Sequence, residues 1–120
     1  MKAIQNFRND KVMHNGLITK EKWESLNTYM QLANIGSEVG RAFKWKKVNE
    51  KDRAYGAFYR AWELFDATVA DMKNQKRAKE INNARELFAD LFFDRKEYKE
   101  TPANLEKYFT EFAILSRQLP

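Results

Sequence analysis

The sequence contains no cysteine, one histidine, two prolines and four glycines, and these shortages exclude several classes of protein. A chain without cysteine can form neither a disulfide scaffold nor a thiolate zinc site. Few prolines and glycines favour long regular elements over a loop-rich β fold. No apolar run is long enough for a signal peptide or a membrane-spanning helix. We therefore expect a cytoplasmic protein that does not enter a membrane.

Residues that could perform chemistry are equally scarce. The only histidine, His14, cannot supply the paired Glu-x-x-His motifs that di-iron helical bundles use. No nucleotide-binding or nucleophile motif is present. We expect ordinary solvated or ion-paired carboxylates, in polar or flanking positions, at Glu38, Glu63, Asp66, Glu86 and Asp90. The sequence thus predicts a protein with no catalytic activity, no metal, no cofactor and no small-molecule substrate.

What the sequence does contain is regular apolar patterning. Hydrophobic residues make up 43% and aromatic residues 14% of its 120 residues. They recur at spacings of three and four, which is typical of amphipathic helices. The pattern predicts an all-α fold, a single up-down-up-down four-helix bundle over residues 19–120, preceded by a short N-terminal arm over residues 1–18 that contains an Asn15–Gly16 turn.

Capping residues define the four predicted helices. Thr19 is a good N-cap for a first helix that continues to about residue 46. Asn49 is the expected N-cap of a second helix ending near residue 71, and a third helix spans roughly 74–94. Thr101–Pro102, a cap followed by proline at the first helical position, is the strongest boundary signal and begins the fourth helix.

The first two helices have predicted core stripes. Gly36 and Gly40 lie four residues apart in the first helix, which favours close packing of another helix there, with a local kink as the alternative. The first stripe comprises Trp23, Leu26, Met30, Ala33, Ser37, Gly40, Ala42 and Phe43, and the second comprises Ala54, Ala57, Phe58, Ala61, Leu64, Phe65 and Thr68.

Basic residues concentrate near the predicted links. The formal net charge is +5. In an up-down bundle the first and third links share one end, where residues 44–53 and 94–100 combine eight basic with five acidic side chains. We predict nucleic-acid contacts at Lys44, Lys46, Lys47, Lys51, Arg53, Arg95, Lys96 and Lys99, with Trp45 and Tyr98 available for stacking on bases. The alternative is that helix ends are charged simply because they are solvated.

Surplus aromatic residues suggest a second surface. Tyr55, Tyr59, Trp62 and Phe93 exceed what one helix seam needs, and exposed apolar patches usually mark protein interfaces. They predict a homo-oligomer or, as the alternative function, a protein–protein adaptor with no nucleic-acid role. A wide single core would absorb the same residues without any partner.

The stretch Asn34-Ile35-Gly36-Ser37-Glu38-Val39-Gly40-Arg41 resembles the Asn-Ile-Ala-Glu-Gly…Arg segment of small bacterial proteins encoded in intervening sequences of 23S ribosomal RNA genes. The accessory proteins of diversity-generating retroelements are similar in fold. The resemblance implies a four-helix bundle, a self-assembling protein, and association with RNA, DNA or a nucleic-acid enzyme such as a reverse transcriptase. It adds Arg41 to the predicted contacts. The Arg60–Asp66 stretch resembles uncharacterised bacterial and archaeal helical proteins.

Overall fold

The computed structural model describes residues 18–118, where the chain is all-α, as predicted. Its elements are α1 (Lys20–Ser25), α2 (Thr28–Lys47), α3 (Lys51–Ala70), a 3₁₀ helix (Met72–Arg77), α4 (Ala78–Phe92) and α5 (Pro102–Gln118). Over these residues no helix is both long enough and apolar enough to cross a membrane. The predicted arm with its Asn15–Gly16 turn lies outside the described residues, apart from Ile18.

The first predicted helix is two helices. Thr19 caps α1 as expected, because its hydroxyl accepts a hydrogen bond from the Lys22 N–H at 3.1 Å. The helix ends at Ser25, and the Asn27 side chain caps α2 by accepting from the Met30 N–H at 2.8 Å. The prediction of one continuous helix over residues 19–46 is therefore wrong, since a second cap inside the apolar pattern restarts the helix.

This restart changes which residues of α2 face the core. Met30 is 39% exposed and Ser37 is also exposed, although both were predicted to point inward. The hydrophobic residues that α2 buries are Leu32, Ile35 and Val39, which the predicted stripe omitted, and Ala42 and Phe43, which it included. In contrast, every residue of the stripe predicted for α3 is buried, because no internal cap interrupts that helix.

Two other predicted boundaries need correction, and one is confirmed. Asn49 is not an N-cap. It lies beyond the end of α2 with φ of 62°, a left-handed conformation that asparagine tolerates. Asn74 does not begin the third predicted helix. It is buried in the 3₁₀ helix, and the α-helix that follows, α4, begins at Ala78. Thr101 does cap α5, since its hydroxyl accepts from the Asn104 N–H at 3.2 Å.

The two glycines of α2 bring it close to α5. A Cβ atom added at Gly36 would lie 2.5 Å from the Phe109 Cβ, well inside contact distance. At Gly40 the nearest atom would be the Glu106 Oε1 at 3.3 Å. The predicted close approach of another helix is thus confirmed. With α3 on its other side, α2 lies between α3 and α5, and α4 completes the core by contacting both of those helices.

Candidate nucleic-acid interface

The two basic segments meet at one end of the molecule. Lys46, near the end of α2, donates a hydrogen bond from Nζ to Asp94 Oδ2 at 2.8 Å, which joins residues 44–53 to residues 94–100. We call these two segments together the basic end. Seven of its basic side chains are exposed and Lys46 is half-buried; the exposed seven are Lys44, Lys47, Lys51, Arg53, Arg95, Lys96 and Lys99.

A buried carboxylate shapes the second segment of the basic end. Asp90 Oδ1 accepts from the Glu97 N–H at 2.9 Å and Oδ2 accepts from the Tyr98 N–H at 3.3 Å. Asp90 is only 1% exposed, so its predicted position on a polar or flanking face is wrong. Lys96, the residue before Glu97, has φ of 60°, an uncommon conformation for lysine. The carboxylate therefore holds the backbone that presents the basic side chains.

Two more of the carboxylates predicted for polar or flanking positions are buried, namely Glu38 and Glu63, although Glu38 is ion-paired as predicted. Glu38 Oε2 accepts from Arg60 Nε at 2.9 Å, and the exposed Arg41 lies with NH1 3.3 Å from Oε1. Arg41, which the resemblance added to the predicted contacts, therefore already faces a carboxylate. In the part of the chain that the structure describes, no group of histidine, aspartate and glutamate side chains could hold a metal ion.

Trp45 and Tyr98 differ in their availability for stacking. The half-buried Trp45 ring has Lys44 Nζ 5.1 Å and Arg53 Cζ 4.7 Å from its centroid, within the range of cation–π attraction. Trp45 therefore orders two cations of the basic end and offers little free ring surface. Tyr98 is 52% exposed and stays available.

Three of the four predicted interface aromatics pack around Phe58, and the fourth, Tyr55, contacts two of those three. The Phe58 ring centroid lies 5.0 Å from Phe93, and 5.5 Å from both Tyr59 and Trp62, while Tyr55 contacts Tyr59 and Phe93 at 6.4 Å. Tyr59 and Trp62 are half-buried and pack against the core. Only Tyr55, 44% exposed, and Phe93, 37% exposed, offer much surface. The core thus absorbs two of the four, and the other two adjoin the basic end.

Two grooves flank the Lys46–Asp94 ion pair. The first, which we call the aromatic groove, encloses about 310 Å³ between a polar wall of Lys46, Lys51 and Asp94 and an apolar wall of Tyr55, Phe92 and Phe93. The second, the lysine groove, encloses about 530 Å³ and is lined by Lys44, Lys46 and Lys47 with Asp94 and Glu106. Since both grooves share Lys46 and Asp94, they lie side by side across the basic end.

Glu106 is the one acidic residue of the lysine groove that lies on α5. Its carboxyl group is half-buried against Gly40 of α2, and burial raises its pKa above the ordinary glutamate value. When the pH falls and Glu106 takes up a proton, its negative charge no longer offsets the positive charges of the three lysines. The lysine groove is therefore expected to attract anions more strongly once the pH falls through this raised pKa.

Sequence reasoning missed a buried polar network near α1. The Trp23 indole N–H donates to Thr68 Oγ1 at 3.0 Å, and the Gln31 amide donates to the Trp23 carbonyl at 2.9 Å and to Asp71 Oδ2 at 3.0 Å. Asn74 in turn donates to Gln31 Oε1 at 2.8 Å. Asn27, a cap within the apolar pattern, was the only sequence signal that the chain turns there. The network joins α1, α2 and α3 to the 3₁₀ helix.

Opposing effects act on the Asp71 carboxyl of this network. Burial pushes its pKa up, but hydrogen bonds from Lys73 and Gln31 together outweigh burial and leave the pKa below the ordinary value of 3.8. Asp71 is therefore ionised in the folded protein at neutral pH, where it accepts from Lys73 Nζ and from the Lys73 N–H. The Asp71 carboxylate thus finds its hydrogen-bond partners within the folded chain.

No family model, curated protein or solved structure matches this chain.

Proposed function

We propose that this protein binds nucleic acid through the phosphate groups, without catalysing a reaction. The observation that carries the proposal is the Lys46–Asp94 contact, which brings two basic segments, distant in sequence, onto one surface. A phosphate backbone carries closely spaced negative charges, and lysine and arginine side chains that neutralise them release bound counterions. That release supplies a favourable free energy that does not depend on base sequence.

The charges available at the basic end support this proposal. No salt bridge engages Lys47, Lys51 or Lys99 among residues 18–118, so each of these exposed ammonium groups is free to meet a phosphate. Lys46 contributes less, because Asp94 partly neutralises it. The exposed position also keeps the cost of desolvating these lysines low, so phosphate contact is favoured.

We also propose that α2, α3, α4 and α5 form an up-down-up-down four-helix bundle that self-assembles. The cyclic order of helix contacts, α2 with α3, α3 with α4, α4 with α5 and α5 with α2, supports the bundle. Exposed apolar side chains on α5, Ile114 at 47% and Leu115 at 40%, support an interface between copies.

Charge reversal at the basic end tests the proposed function. The triple variant Lys47→Glu, Lys51→Glu and Lys99→Glu is compared with wild type by fluorescence anisotropy, using a short labelled single-stranded RNA over a range of salt concentrations. Each lost phosphate contact lowers the slope of log affinity against log salt by about 0.7 for a single strand. We therefore expect weaker binding and a slope smaller by about 2.

A matched control has the same net charge. The reversals Lys22→Glu, Lys76→Glu and Lys79→Glu change exposed lysines of α1, the 3₁₀ helix and α4, away from the basic end. Under the proposal this control binds more tightly than the first variant and keeps a steeper salt dependence. Equal losses in the two variants would show that net charge alone drives binding and would refute the proposed site.

A protein–protein adaptor is the second candidate, and the exposure of Tyr55 and Phe93 favours it. Under this hypothesis Phe93→Ser changes the mass of the protein in solution or weakens its capture of a protein partner. The wild-type protein would have no affinity for RNA. Light scattering of wild type and variant, with and without RNA, separates the two functions. An unchanged mass together with salt-sensitive RNA binding would argue against the adaptor.

A further inference from the structure

We infer that the aromatic groove accepts a single unpaired base, so that the basic end prefers single-stranded nucleic acid to a duplex. This inference rests on the proposed function and names the form of its ligand. It comes from the position of Tyr55 and Phe93, whose exposed rings share one groove with Lys46 and Lys51. A groove that combines aromatic faces with cations matches a nucleotide, which combines an aromatic base with a phosphate.

The apolar wall of the groove is held in place before any ligand arrives. The Tyr55 ring meets Phe92 edge-to-face at 5.7 Å and stacks on Tyr59 at 6.4 Å. Phe92 is buried in the core and is itself stacked on Phe58 at 4.7 Å. Because these packed rings already restrain the Tyr55 side chain, the protein loses little conformational entropy when a base stacks on the exposed part of the ring. Every base has such a face, so this contact is tolerant of sequence.

The polar wall supplies the matching charge. Lys51 is exposed at the start of α3, and no ion pair involves it in the range 18–118. A phosphate next to the stacked base therefore finds an available cation. Asn49, which also lines the groove, adds an amide that can both donate to and accept from a base edge.

The groove is small, which favours a single base over a stack of bases. Its volume of about 310 Å³ lies at the small end of the range typical of ligand sites. The adjoining lysine groove shares Lys46 and Asp94, so a strand that leaves the aromatic groove passes directly to Lys44 and Lys47. In a duplex each base face is covered by its neighbours in the stack. A duplex can therefore meet the lysines but cannot fill the aromatic groove.

The test compares single-stranded RNA with a duplex of the same sequence for wild type and Tyr55→Ser. Loss of one base–aromatic stack is expected to weaken single-strand affinity by about 5- to 150-fold. Duplex affinity and the salt slope stay unchanged, because no phosphate contact is removed. Val48→Ser is the control, since Val48 is also an exposed apolar side chain at the same end but does not line the groove, and it should leave single-strand affinity unchanged.

Two further measurements separate stacking from a structural effect. Tyr55→Phe keeps the ring and should restore single-strand affinity, and thermal melts should show Tyr55→Ser folded. A 2-aminopurine base in the strand should lose fluorescence on binding wild type but not Tyr55→Ser, since stacking quenches it.

The outcomes distinguish this inference from the proposed function. If Tyr55→Ser binds single strands like wild type while the basic-end reversals still weaken binding, the groove inference is wrong and the proposed function stands. If Tyr55→Ser weakens duplex binding by the same factor as single-strand binding, the base-stacking role of the groove is likewise overturned. If wild type binds neither form of RNA, the proposed function fails and the groove inference fails with it.

Discussion

The substitution Gly36→Ala probes the close contact between α2 and α5. Alanine would place its Cβ 2.5 Å from the Phe109 Cβ, a distance that real carbon pairs do not tolerate. The Phe109 Cβ is tied to the α5 backbone and cannot swing away, so α5 must move. Overpacking of this kind costs about 1–3 kcal/mol. Replacing glycine by alanine inside a helix gains about 1 kcal/mol, so the net change is a loss of about 0–2 kcal/mol.

Gly56→Ala provides a matched control within the same fold. Gly56 lies inside α3, where an added Cβ would be 3.3 Å from NH1 of Arg60, the far end of a flexible side chain. The gain in helix propensity of about 1 kcal/mol therefore outweighs the packing cost there. The two variants have the same composition, and the difference between them isolates the approach of α5 to α2.

Urea denaturation followed by circular dichroism measures both free energies of unfolding. We expect Gly36→Ala to be less stable than Gly56→Ala by about 1–3 kcal/mol. Equal stabilisation of both variants would contradict this expectation, because α5 would then not approach α2 closely at Gly36.

Further predictions concern the buried polar groups. Asn74→Ala leaves Gln31 Oε1 without its donor and should lower the free energy of unfolding by about 1–3 kcal/mol in urea denaturation. Because the pKa of Asp71 is lowered in the folded state, its contribution to stability is complete above pH 3.8 and is lost as the pH falls through the lower folded value. Asp71→Asn should therefore flatten the acid limb of stability against pH. Asp90→Ala should speed amide hydrogen exchange at Tyr98 and weaken RNA binding while α5 stays folded.

The sequence predicted those features of the fold that depend on local patterns. Ala54, Phe58 and Phe65 lie on one face of an uninterrupted helix, so their periodicity alone predicts their burial. Thr101 before Pro102 marks the start of α5 because cap and proline act on the same turn. The shared position of the two basic segments also followed from the order of helices and short links.

Features that depend on tertiary partners were not predicted. The break at Leu26–Asn27 is stabilised by Gln31, which bonds the Trp23 carbonyl from the next helix, and periodicity carries no information about that contact. Asp90 looks like a surface residue in sequence, and only the path of the following segment explains its burial. The aromatic groove needs α2, α3 and the α4–α5 link together, so no single stretch of sequence reveals it.

The most direct test of the central claim is to map where nucleic acid touches the protein. Ultraviolet crosslinking of wild type to a short single-stranded RNA, followed by mass spectrometry of the crosslinked peptides, locates the contact without any substitution. The account predicts crosslinks in peptides that contain residues 44–55 and 93–99, with Tyr55 and Tyr98 among the sites. Crosslinks confined to residues 72–83, or a complete absence of crosslinking at low salt, would contradict it.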